Sequence, residues 1–485
     1  MVRDLEGPCG VPQTSPDYSD HTRARKRSTL ASPAGIIESM FEDLPAKLLP
    51  LYKTEAPNMP ILLYEGPCAL YQNSSCFNCG GSIQLDWLPQ PRLTARLLPS
   101  AGPPVRIALG PAALDIPKLG ARAEAVVTST PMLLFADETR PVEGRVGRIE
   151  FGETGGCTRI RFHLPNFLFF NGAPVRDAPG SFSSQRALLE HGAFRVSIDR
   201  AMPFGDQIEK EIARDGGYAI THVGTVERID GSVFSLNEID PLLDCLGHYL
   251  SFCRGSWTYP VLLCAEDVDG AVVGQRWELS HAIDRSKQTI SWFPRNEPVG
   301  AQMLQVFRGY ADSWFSALWG DAIRIATQWY VESSTGAVEK SRILTQAAFE
   351  LLAWTHLVED TRAISKKVWE SRSLSFSAKL RLLLENCLIP LSVPPKLDQL
   401  LAYSSTLKPA DGPEALVSLR NALVHPNPNK RKRLREHPRV AADAWILGLW
   451  YLDLVILRVC AYKGTYSNRT VGGWPIEDAM AVPCA

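Results

Sequence analysis

From Pro60 to about Ser235 the apolar residues come in short runs, many of them alternating with polar ones, broken by Pro- and Gly-rich turns. The runs are Ile61–Tyr64, Val105–Leu109, Ala125–Val127, Met132–Phe135, Arg145–Phe151, Thr158–Phe162, Phe194–Ile198 and Tyr218–Arg228. Many short strands between such turns predict an antiparallel sandwich or barrel. Asp230-Gly231, between Thr225–Ile229 and Ser232–Ser235, has the residues that adopt the positive φ values of a two-residue hairpin turn. Leu236–Cys253 has helical spacing, and Val261–Leu279 reads as a second hairpin around Asp269-Gly270. This module is expected to end near Asn296.

Beyond about Gln302 the apolar period lengthens to about 3.6 residues, predicting helices over Gln302–Leu318, Asp321–Ser333, Val338–Val358, Ser375–Cys387, Pro413–His425 and Arg439–Tyr462. Short connections make an antiparallel bundle the expected packing. The fold class is thus α+β, a β-rich antiparallel N-terminal module followed by a C-terminal helical bundle. The expected parts are a disordered leader over 1–34, a β-rich sensor or regulatory module over 35–300 with one or two subdomains, and the bundle over 301–485. The leader is assigned because its Pro, Ser and Gly residues and the cluster Arg23, Arg25, Lys26, Arg27 lack apolar periodicity.

Composition narrows the class. The chain has 485 residues, with 51 Lys+Arg against 52 Asp+Glu, so charge alone would not drive the whole molecule onto nucleic acid or lipid. The basic excess lies in the part after residue 300. An odd number of cysteines, 11, at irregular spacings without a signal peptide's apolar region reads as reduced and cytoplasmic. The apolar stretch Ala441–Tyr462 contains Asp443, Asp453 and Arg458, which predicts a buried core helix and no membrane span. No GxxxxGK[ST], GxGxxG or GxSxG motif is present.

The sharpest candidate chemistry runs from Asp411 to Pro426. Asp411 is placed to cap a helix, Pro413 fits its first turn and Glu414 stands three after the cap. Leu416, Leu419 and Leu423 form its apolar face; Glu414, Ser418, Asn421 and His425 form a polar stripe. Arg420 lies roughly 140° around the helix from His425. His425, at the helix end, is a candidate acid/base, and Arg420 offers a two-pronged cation for a phosphate. Lys430, Arg431, Lys432, Arg433 and Arg435 follow at once, an electrostatic footprint for RNA phosphates.

Arg420-Asn421-Ala-Leu-Val-His425 resembles the signature of the HEPN superfamily of helical ribonucleases. The preceding Glu339–Leu352 segment, and the closing Trp450–Arg458 helix with Tyr462, Gly464 and Tyr466, resemble bacterial HEPN domains. The whole arrangement is similar to ApeA-like anti-phage proteins. The resemblance implies a homodimer that cuts RNA without a metal or other cofactor and leaves a 2′,3′-cyclic phosphate. In it Arg420 would hold the scissile phosphate, His425 would move a proton, Asn421 would orient both, and Glu350 would pair with Arg420 or tune His425. The implied setting is abortive infection, with the β-rich module sensing a phage-derived trigger or restraining the nuclease. The alternative is a non-catalytic HEPN-like scaffold for dimerisation or RNA binding.

Other clusters are weaker. Cys76-Phe-Asn-Cys79 is half of a zinc site, with Cys157 or His163 needed from afar; a turn carrying free thiols is expected. Asp267-Val-Asp269-Gly270 resembles the start of a calcium loop but lacks the later acidic ligand, so a hairpin turn is expected. The tryptophans, Trp257, Trp277, Trp292, Trp314, Trp319, Trp329 and Trp354, are read as core.

Overall fold

A computed structural model describes residues 43–99, 107–130, 141–178, 181–201, 206–279, 281–287, 289–294, 299–424, 439–471 and 479–483. The leader over 1–34, the run Met132–Phe135 and the start of Val105–Leu109 lie outside the described residues.

The β-rich part consists of two bodies. Strands β1 (Ile61–Gln72), β2 (Ser75–Asp86), β3 (Arg92–Pro99), β4 (Gly110–Ile116), β5 (Ala121–Ser129) and β6 (Val142–Val146) close into a barrel in the order β1-β2-β3-β6-β5-β4. Closure removes sheet edges, and alternation along β5 buries Ala121, Ala123, Ala125 and Val127 inside. Asn73 and Ser74, both at positive φ, make the tight β1–β2 turn.

Strands β7 (Ile149–Gly152), β8 (Arg159–Pro165), β9 (Ala173–Ala178), β10 (Ser181–His191), β11 (Phe194–Arg200), β12 (Ile220–Arg228), β13 (Val261–Glu266) and β14 (Val272–Trp277) form the second sheet, in the order β7-β14-β13-β8-β12-β11-β10-β9. The Asp269-Gly270 turn joins β13 to β14 as expected. There the Asp267 carboxylate accepts from the backbone N–H of Asp269 and Ala271 at 3.0 and 2.9 Å.

Asp230-Gly231 does not make a hairpin. β12 stops at Arg228, the Asp230 side chain binds Ser232, and Phe234 forms only an isolated bridge to Cys157. The chain then enters a helical turn capped reciprocally by Ser235 and Glu238. A helix the apolar pattern did not announce, α1 (Gln207–Asp215), follows β11.

The helices are α2 (Asp240–Arg254), α3 (Gly300–Trp314), α4 (Gly320–Thr335), α5 (Val338–Trp354), the short α6 (Lys366–Trp369), α7 (Phe376–Asn386), α8 (Asp398–Ser404), α9 (Gly412–Val424) and α10 (Val440–Val459). The six expected helices of the bundle are all present; α5 runs on into a π-helical turn, Thr355–Asp360.

The boundary expected near residue 300 is not a break in packing. One core cluster runs from Ile160 and Phe162 in the sheet through Tyr249 and Phe252 of α2, Phe307 and Tyr310 of α3, to Leu449 and Leu452 of α10. Gly309 lets α3 press against the end of α10, since a Cβ there would stand 1.9 Å from the Cys460 carbonyl oxygen. A second cluster fills the barrel and takes in Tyr218, Tyr259 and Trp277 from the sheet body. The expected core tryptophans Trp277, Trp292 and Trp319 are buried.

Val440–Val459 is long and apolar enough to cross a membrane, and 78% of its most apolar window is covered by protein. Its Asp453 is fully buried and held by two bonds from Arg469, at 2.6 and 3.0 Å. The core helix expected from the charges inside this stretch is what forms.

Candidate functional site

Local sequence specifies α9 at its start. Asp411 accepts from the backbone N–H of Glu414 at 2.9 Å, and its other carboxylate oxygen accepts from Arg381 at 2.8 Å. Ala415 and Leu419 turn into the core, which fixes the rotation of the helix. Ser418 bonds Tyr403 on α8 at 2.9 Å. Arg420 and Asn421 come next, both half-buried, and Arg420 Nη1 donates to Asn421 Oδ1 at 3.2 Å. His425, Lys430, Arg431, Lys432, Arg433 and Arg435 lie outside the described residues.

Arg420 lines a narrow pocket between three helices: Arg342, Thr345, Gln346 and Phe349 of α5, Phe376 and Leu380 of α7, and Leu416, Val417 and Arg420 of α9. Three of these side chains bring buried polar atoms without hydrogen-bond partners: Arg420 Nε, Arg342 Nε and Nη1, and Gln346 Oε1. Arg342 is only 8% exposed. Burial pushes its guanidinium pKa below the ordinary value, and Glu339 one turn earlier opposes that shift.

Glu350 does not pair with Arg420, one of the two roles the resemblance implied for it; the other involves His425, outside the described residues. Glu350 is exposed on α5, is not among the pocket's lining residues, and makes no ion pair with Arg420 among the described residues. The physical reason is helical phase: the residues of α5 facing α9 are Arg342, Gln346 and Phe349, at i, i+4 and i+7, whereas Glu350 is one residue and about 100° past Phe349. That stripe is visible in the sequence, and Arg342 and Gln346 were the residues to single out.

A cavity of about 770 Å3 lies elsewhere, where α2 and the sheet meet the α3–α4 corner. Tyr259 OH donates to Asp244, and His281 Nε2 stands 3.2 Å from the same carboxylate. The His281 bond, with that from Tyr259, holds the Asp244 pKa down to about 2 against burial. Arg276 at its wall pairs with Glu150 and Asp240. The charges named here are already met by protein partners. This cavity has no local signature along the chain, because Arg148 and residues from 240–281 and 314–324 converge only in three dimensions.

Among the described residues no three His, Cys, Asp or Glu side chains converge as a metal site. Cys76 and Cys79 lie on a strand, not in a turn; spaced by three they fall on opposite faces, Cys76 exposed and Cys79 buried opposite Cys68. Both thiols are free.

The architecture and these sites meet known proteins at two levels. Residues 152–289 match the family described as the YopA central domain, and residues 316–478 the YopA C-terminal domain. The first begins at the last residue of β7 and covers the other seven strands of the sheet, β8 to β14; the second spans the helices from α4 through α10 and so includes the pocket at Arg420. Over 434 residues the chain is 25% identical to the SPbeta prophage-derived uncharacterized protein YopA of Bacillus subtilis (strain 168), covering 85% of this chain and 92% of that protein. Both family descriptions name a position and no activity. No solved structure matches the chain.

Proposed function

We propose that this protein is a metal-independent endoribonuclease of the HEPN type, acting on RNA in the cytoplasm as a homodimer. The observation that carries the reading is Arg420: it sits at the C-terminal end of α9, bonded to Asn421, with its buried Nε unpaired at a pocket. A fixed guanidinium with unused donor capacity suits a phosphate oxygen. His425, five residues on in the sequence, would take the 2′-hydroxyl proton or return one to the leaving oxygen, and the basic run from Lys430 to Arg435 would hold flanking phosphates. A second protomer would bring a second motif to the same RNA. Glu350 is not placed to pair with Arg420 in this arrangement.

The likeness to a prophage-derived protein supports a phage–bacterium setting, in which the barrel and sheet would restrain the nuclease until a phage-derived trigger arrives. The continuous core between the sheet and the bundle offers a physical route for such coupling.

The test is cleavage of total bacterial RNA in EDTA by the full chain beside Arg420→Ala and His425→Ala, with and without phage-infected cell extract. Cutting that leaves cyclic phosphates and disappears in both variants is expected. Absence of cutting under both conditions would reject the nuclease in favour of a scaffold.

A further inference from the structure

The cavity of about 770 Å3 at the α3–α4 corner lies outside the proposed nuclease site, and its size falls within the roughly 300–1,000 Å3 of sites that bury a small ligand. Much of its wall is already engaged by protein. Arg276 donates to Glu150, Asp240 and Asn237. Asp244 takes both Tyr259 OH and His281 Nε2 on one oxygen, Oδ1. Two charged groups keep unused capacity. Glu278, half-buried just past the end of β14, receives no hydrogen bond on its carboxylate among the described residues; Arg148 on the same wall donates to Glu150 and Asn237 instead. Arg324 gives a single bond, from Nη2 to Asp321 at 2.6 Å, between side chains that are 50% and 86% exposed; such a pair holds little and leaves the other donors for a ligand.

Two further features narrow the ligand. Helix α4, 16 residues long, starts at the cavity wall with Gly320 and has no side-chain cap, so a phosphate there would meet both its first N–H groups and Arg324 one turn on. The wall also carries flat rings. His281 lies on the buried Tyr259, with centroids 3.7 Å apart and planes 14° from parallel, and its bond to Asp244 fixes the ring; Trp314, the last residue of α3, lines the same cavity. Rings for a base and donors for a phosphate define a nucleotide site, and the carboxylate selects the base. Guanine presents a ring N–H beside an amino group, two donors that match the two oxygens of Glu278, whereas adenine turns a ring acceptor toward them. We propose that this cavity binds a guanine nucleotide, with Glu278 reading the base, His281 and Trp314 packing on it, and Arg324 with the α4 N-terminus holding the phosphate. The nucleotide would touch the sheet, α2 and the helical bundle at once, since all three build the wall. The inference does not rest on the reading of Arg420.

The experiment titrates the full chain with GMP, AMP and guanosine by isothermal titration calorimetry, beside thermal melts. GMP should bind once per chain, about tenfold or more tighter than AMP, and raise the melting temperature. Glu278→Gln keeps the side chain's size and should bring GMP to the affinity of AMP. Arg324→Gln should weaken GMP about tenfold and leave guanosine unchanged. Both variants should melt with the parent when no nucleotide is present, and Arg420→Ala, in a different pocket, should bind GMP as the parent does. No GMP binding by the parent up to about 1 mM would overturn the inference, as would equal affinity for AMP. A lowered melting temperature in Glu278→Gln would mark a structural carboxylate and overturn the base assignment. GMP affinity lost in Arg420→Ala but kept in Glu278→Gln would place the nucleotide at the nuclease pocket and reject the cavity. RNA cleavage by the unaltered protein is read separately, so the nuclease and the nucleotide site can each fail while the other stands.

Discussion

Arg469 and Arg342 are buried in the same helical bundle, and their environments differ in one respect. Arg469 makes a two-pronged bond to Asp453 and a third, at 2.9 Å, to Tyr330 OH, so its charge is met inside the protein. Arg342 has Glu339 a turn away and no hydrogen bond at Nε or Nη1. The lesson is that burial does not by itself assign a role to a charge: a satisfied ion pair locks tertiary structure, whereas buried donors without a protein partner leave their desolvation cost unmet by the chain.

The strongest way to break this comparison is to unpair the satisfied site. Asp453→Asn leaves Arg469 buried beside a neutral amide and should cost about 3–5 kcal/mol in urea unfolding, while adding Arg469→Met should recover much of the loss. A single variant as stable as the parent would show that the pair is not a lock.

A buried neutral group sharpens the comparison next. His163 donates through Nδ1 to the Leu262 carbonyl and accepts through Nε2 from the backbone N–H of Leu51 and Tyr52, at 3.1, 3.1 and 3.2 Å. Burial pushes its pKa down to about 4. The unfolded chain binds a proton from about pH 6.5 downward and the folded chain only near 4, so stability is full at neutral pH and falls through that window, by up to about 3 kcal/mol. Denaturant unfolding at pH 7, 6, 5 and 4.5 should show this slope, and His163→Gln should reduce it. An identical slope in both proteins would exclude His163 as its source. Burial lowers the pKa of His222 as well, to about 3, so part of the slope should persist.

The smallest effect is expected at Asp411, a partly exposed carboxylate that combines a helix cap with the Arg381 pair. Asp411→Ala should cost about 1 kcal/mol and fray the helix that carries Arg420. Hydrogen exchange at the first turn of α9 reads this directly; unchanged protection there would contradict the cap.

Where a structural choice is local, the sequence discloses it. The cap at Asp411, the Asp269-Gly270 turn and the six main helices of the bundle were legible because each depends on neighbours within about a turn. The barrel was only half legible. Strands β2, β3 and β4 of the barrel, and β9 and β10 of the sheet, have no counterpart among the runs read from the pattern; in β2, small and polar residues such as Ser75, Asn78, Gly80 and Gly81 are held by cross-strand partners rather than by their own pattern. Asp230-Gly231 misled because turn chemistry names a turn but not the strand that must return from it. Glu350 misled for a related reason: placing a residue on a helix does not say which face meets the neighbour.

The sequence by itself determined the α+β order, the antiparallel character of the β-rich part, the helix boundaries near Arg420 and the buried nature of Val440–Val459, since periodicity and capping act over a few residues. Only tertiary structure decided that six strands close into a barrel, that the sheet and bundle share one core across residue 300, and that Arg342 and Gln346 face Arg420. Those outcomes depend on side chains tens to hundreds of residues apart competing for the same buried volume and the same hydrogen-bond partners, and only the folded chain brings these together.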